Sequence, residues 1–204
     1  MDLITALEQR FGKHRVRAIQ NPLHPEQPLV FLYLELQVPV TVLMTAGLSD
    51  YTMPVLEKWK GREHNEVFFC LPTYWDMDDT NNPNFNWVYH WIYRLENFVR
   101  EKQTWFGPGH TIPCGNPPAP LSETMKEEYL IFLEPIFLEE QLRPMTIDEK
   151  TVHFLGIVPI FGDELDYKMG KSAYKLVRKF RQRKIDERLD DYRASVLRSR
   201  MRFF

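Results

Sequence analysis

The sequence predicts an α+β (mixed) fold: a central mixed β-sheet with helices packed on both faces, in a single-domain sandwich. Three observations lead there. Residues 28–37 and 150–161 are apolar at nearly every position, which suits strands covered on both sides. Residues 87–102 place their apolar side chains at helical period. Strand-like and helix-like runs alternate irregularly, and Pro39, Pro72, Pro135 and Pro159 cut or end the strands, so a regular doubly wound parallel sheet does not fit.

Taken in order, Asp2 to Phe11 reads as a short amphipathic helix stopped by Gly12. Residues 14–20 are a weak strand candidate, and Asn21-Pro22 and His24-Pro25 mark turns. The 28–37 strand is followed by a second apolar run at 40–45. A turn follows at 46–50, where Gly47 can take a positive φ and Ser49 or Asp50 can cap the next segment. Residues 63–71 form a strand that ends at Pro72. An acidic, amide-rich loop at 73–86 holds Tyr74 and Trp75, with Asn84 or Asn86 as N-cap for the helix Trp87 to Lys102. That helix buries Trp87, Trp91, Leu95 and Phe98 beside Val88, Ile92 and Val99, and turns Arg94, Glu96 and Arg100 outward. The segment Thr104–Ser122 holds five prolines and three glycines, so it is a long connection, pinned by Trp105, Phe106, Ile112 and Leu121. Residues 128–139 form a strand interrupted by Pro135, and 150–161 a buried strand. A helix is expected over 163–184, bent or divided near Gly170, and a last helix over 185–199.

The chain has 204 residues, enough for one domain with a sizeable core, and no apolar run long enough for a membrane span. Two cysteines, no N-x-Ser/Thr site and no basic-then-apolar leader point to the cytoplasm. Charge is unevenly spread. From Lys171 onward twelve Lys/Arg meet four Asp/Glu, a net +8, which leaves −10 on the rest of a chain whose total is −2. That basic segment is either a solvated helix with i,i+4 ion pairs or a docking face. Nucleic acid is disfavoured because Asp186, Glu187, Asp190 and Asp191 interrupt it.

Candidate chemistry is sparse. His110 and Cys114 lie in the long connection, but zinc needs more ligands and no second pair stands at close spacing, so no metal and no cofactor are expected. Cys70 sits between aromatic and aliphatic residues, the setting of an inert core thiol. The run Asp76-Met77-Asp78-Asp79 lacks the glycine and the closing glutamate of a calcium loop and sits favourably before a helix N-terminus. Two readings stay open as alternatives: a hydrolase-like enzyme using His110 with an acidic partner, and a nucleic-acid binder acting through the basic segment.

Several blocks together resemble the Suppressor of fused family, specifically its single-domain bacterial members. They are Thr45–Asp50, Glu66–Pro72 with Tyr74-Trp75, Trp87 through Trp105-Phe106-Gly107-Pro108-Gly109-His110-Thr111-Ile112, and Val152–Ile160 with Asp163-Glu164-Leu165. The resemblance runs from about Thr45 to Phe180, and order and spacing carry it rather than one motif. It implies a mixed α/β sandwich without enzymatic activity, with residues 1–184 as the family domain and 185–204 as a basic C-terminal helix packed on it or extending from it. Animal members clamp a transcription-factor peptide between two domains; this chain ends soon after the first, so that partner is not implied. Single-domain bacterial relatives include immunity proteins that neutralise a toxin domain. On that footing the expected partner is a protein, and the expected partner-binding residues are Trp75, Asp76, Asp78, Asp79, Trp105 and His110, aromatics beside acidic groups that suit a basic partner. No membrane partner is implied, and oligomeric state is left open.

Overall fold

In the computed structural model, which describes residues 1–197, eight strands form one mixed sheet in the order β1-β2-β3-β4-β8-β6-β5, with β7 paired to β8 outside that path. The elements are α1 (Leu3–Phe11), β1 (Val16–Asn21), β2 (His24–Leu34), β3 (Val40–Thr45), β4 (His64–Leu71), α2 (Trp87–Lys102), β5 (Thr111–Pro113), β6 (Tyr129–Leu133), β7 (Met145–Ile147), β8 (Lys150–Ile160), α3 (Gly162–Gly170) and α4 (Ala173–Arg183). Every pairing is antiparallel except β4 with β8. That one parallel pair makes the sheet mixed, and the chain reaches it through the long crossover that carries α2.

Period-2 alternation divides the core between two faces. Leu29 and Phe31 of β2 and Val67, Phe69 and Leu71 of β4 face α2, while Val30, Leu32, Phe68 and Cys70 face α1. Further along that second face, Ile131, Leu133, Val158 and Ile160 pack under α3 and α4. Both faces are covered, which is why the strands read as continuous apolar runs. No helix among the described residues is long and apolar enough to cross a membrane.

Local chemistry explains the element ends. Asp2 Oδ1 accepts the Thr5 amide at 2.8 Å and caps α1. Asn86 precedes α2 but does not cap it, because its side-chain amide donates to the Thr80 carbonyl at 2.9 Å. Gly47 does not use the positive φ open to glycine: its φ is 175°, extended backbone. The helix expected over 163–184 is two helices. Lys171 breaks the run, and Ser172 restarts it by accepting the Lys175 amide on its hydroxyl at 3.2 Å. The long connection is not wholly loop, since Thr111–Pro113 adds a short edge strand to β6, a place that tolerates proline.

Residues 185–197 depart most from expectation: they form no helix. β4 and β8 pair only as far as Phe68 and Gly156, and this segment fills the opening beyond. Leu189 donates its amide to the Cys70 carbonyl at 2.9 Å, and a Cβ on Gly156 would stand 3.0 Å from the Glu187 Cβ. Glu187 accepts the backbone amides of Ile136, Phe137 and Leu138 at 2.8–2.9 Å. Arg193 reaches the buried Glu164 at 2.6 Å and Glu127 at 3.3 Å. Helical spacing of Ile185, Leu189, Tyr192 and Val196 was a coincidence of side chains that serve different neighbours. The charges expected to pair along a helix are instead pegs of an extended strap. Residues 198–199 of the expected helix lie outside the described residues.

Candidate partner-binding site

Pro72 cannot donate to a ladder, so the chain leaves the sheet after β4 and enters the acidic loop. There Asp76 Oδ1 accepts the Asp78 amide at 3.1 Å, an Asx turn that sets the tip. Tyr89 donates its hydroxyl to the Met77 carbonyl at 3.1 Å, and with the Asn86–Thr80 bond this ties the loop down on α2. The strap holds the other side. Asp191 accepts from the Tyr74 hydroxyl and the Trp75 indole, both at 2.9 Å, and from the Thr124 hydroxyl at 3.0 Å. Asp76, Asp78 and Asp79 remain exposed. The loop is thus a fixed platform with three carboxylates outward.

Trp75 does not present its ring to solvent. It is 5% exposed, stacked on Phe85 and edge-on to Trp87, so it anchors the platform from inside the core. Trp105 and His110 lie elsewhere. Trp75 packs against Trp87 at the N-terminal end of α2, and Trp105 follows its C-terminal end in the chain, beyond a 16-residue helix about 24 Å long. The six candidate residues therefore form two groups rather than one.

In the second group the half-buried Trp105 packs edge-on to His110 at 4.3 Å between ring centroids, and Trp59 adds a third ring 5.9 Å from Trp105. Burial lowers the His110 pKa and Lys168 lowers it further, against an opposing hydrogen bond with the Trp105 backbone. Both thiols are free and buried; burial pushes Cys114 up to about 12 and Cys70 well above its ordinary value. They belong to cores on opposite faces of the sheet. No group of three or more His, Cys, Asp or Glu is placed to hold a metal ion among the described residues.

Sequence reasoning missed Asp191, the acceptor that fixes the platform, because it sits in a charged run that reads as solvated helix. It also missed Trp59, which carries no local signal beyond being an aromatic between two lysines.

The family model for Suppressor of fused protein (SUFU) matches residues 26–194. No curated protein matches the chain. Among solved structures, Drosophila Suppressor of Fused aligns with a TM-score of 0.65 at 19% identity, over 96% of this chain and 50% of that one. The present chain thus spans about half the length of that relative. A SUFU homolog from Neisseria gonorrhoeae aligns with a TM-score of 0.67 at 18% identity, over 96% of both chains. A structure of the Sufu–Fu complex aligns with a TM-score of 0.66 at 18% identity, over 95% of this chain and 90% of that one.

Proposed function

From a chain that belongs to the Suppressor of fused family, we propose a non-enzymatic protein-binding module, an immunity protein that neutralises a toxin domain in the cytoplasm. A relative has been seen as the Sufu–Fu complex, a protein in contact with a protein partner. The observation that carries the reading here is the acidic platform. Three exposed carboxylates stand on a loop whose backbone is fixed from both sides by α2 and by Asp191. Pre-ordering removes the entropy cost of arranging the loop on binding, and clustered like charge steers a basic partner. Asp76, Asp78 and Asp79 make the contacts, Trp75 positions them, and Trp105 with His110 offers a separate aromatic contact beyond the far end of α2.

A nuclease-treated capture from the source cell's lysate, read by mass spectrometry at about 0.15 M salt, where charges further apart than roughly 8 Å are screened, tests this. The expected product is one stoichiometric protein, the C-terminal piece of a large secreted chain. In a parallel titration with an oligonucleotide, binding that collapses between roughly 50 and 200 mM salt, as phosphate-dominated contacts do, would replace the reading with the nucleic-acid alternative.

A further inference from the structure

A second surface of opposite character lies beside α4. The loop at Pro108–Gly109, the end of β6 and α4 enclose a groove of about 580 Å³. Its apolar lining comes from Pro108, Leu133, Ile136 and Val177, with Arg178 and Arg181 also among the residues that bound it. Gly109 makes the close approach possible: at φ +87°, a Cβ there would stand 2.7 Å from the Ala173 Cβ at the start of α4. Tyr174 borders the groove and is 72% exposed, an unusual degree for a large aromatic.

The charges decide what fits. Arg178 and Arg181 are three apart on one helix and fall on one side of it, and both are exposed. Neither forms an ion pair among the described residues, nor do Lys175 or Lys171 on the same stretch. The carboxylate that also lines the groove, Glu134, is ion-paired with Arg62. Paired guanidinium groups match carboxylates in a bidentate fork, and an apolar groove next to them rewards one large side chain.

We propose that this groove docks an acidic segment of a protein partner, with an aromatic or aliphatic side chain seated in the groove and flanking carboxylates on Arg178 and Arg181. A nucleic acid would use the cations but leave the apolar lining unfilled. The inference concerns a surface distinct from the acidic platform, so its failure leaves the platform reading standing, and the reverse.

The test pans a phage-displayed dodecapeptide library against the full chain and measures the enriched peptides by fluorescence polarisation. Enriched sequences should combine Asp or Glu with one large apolar residue. Their affinity should fall about tenfold or more for Arg178→Glu/Arg181→Glu and drop measurably for Tyr174→Ala, both with unchanged circular dichroism. No enrichment, enriched peptides without acidic residues, affinity indifferent to either variant, displacement by an oligo-dT strand, or self-association abolished by the double variant would each overturn it.

Discussion

Glu66 stands in the middle of β4, fully buried, where a carboxylate is costly. Its Oε1 accepts the Ser49 amide at 3.0 Å and the Ser49 hydroxyl at 2.6 Å, while the Thr45 hydroxyl donates to Oε2. These bonds favour the anion, but burial outweighs them and lifts the pKa from 4.5 to about 7, with Glu96 adding to the rise. A folded pKa above the unfolded one means that the native state holds the proton longer. Its stabilisation is complete below pH 4.5 and is lost as pH rises through 7, by roughly 3 kcal/mol in all. Glu66→Gln should therefore flatten the fall in thermal midpoint between pH 5 and 8; an unchanged slope would remove Glu66 as its source. The thiols give a second expectation at this scale. Neither Cys70 nor Cys114 should react with iodoacetamide in the folded protein near neutral pH, and both should react in denaturant. The buried thiol at Cys70 was legible from its neighbours. The buried acid at Glu66 was not, because its partners at Thr45 and Ser49 meet it only once β3 and β4 pair.

At the scale of elements, α2 and the strap mark the limits of a pattern argument. The bounds of α2 match the periodic run, since a whole helix face packs on one sheet face. Its stripe was wrong in two places: Phe98 is 41% exposed, and Glu96 is buried at 8%. Glu96 turns inward because Gln27 of β2 donates to it at 2.7 Å and Arg100 pairs with it at 2.9 Å, partners that only tertiary structure supplies. The strap was misread for the same reason. Its charges act across the fold, so helical spacing said nothing about their roles. Glu187 shows the energetic weight: removing its carboxylate strands three backbone amides that face it. Glu187→Ala should cost about 3 kcal/mol, read as a lower denaturant midpoint with an unchanged slope. A midpoint unmoved would mean that the strap is not fastened there.

For the molecule as a whole, sheet, layers and strand order agree with a mixed sandwich, and the alternation that divides two core faces was present in the residues of β2 and β4. The site was less legible. Exposure of Asp76, Asp78 and Asp79 followed from composition, but the burial of Trp75 and its distance from Trp105 depend on how α2 lies between them. The uneven charge of the sequence becomes a spatial one: exposed carboxylates on a platform braced at the start of α2, and exposed guanidiniums along α4. On the proposed function, changes to the platform should lower affinity without lowering stability. The decisive measurement is a calorimetric titration of the captured partner into wild type and into Asp76→Lys/Asp78→Lys/Asp79→Lys. The account predicts affinity weakened by about a hundredfold, with an unfolding curve that overlays the wild type. Equal affinity for the two proteins would contradict it and take the acidic platform out of the interface.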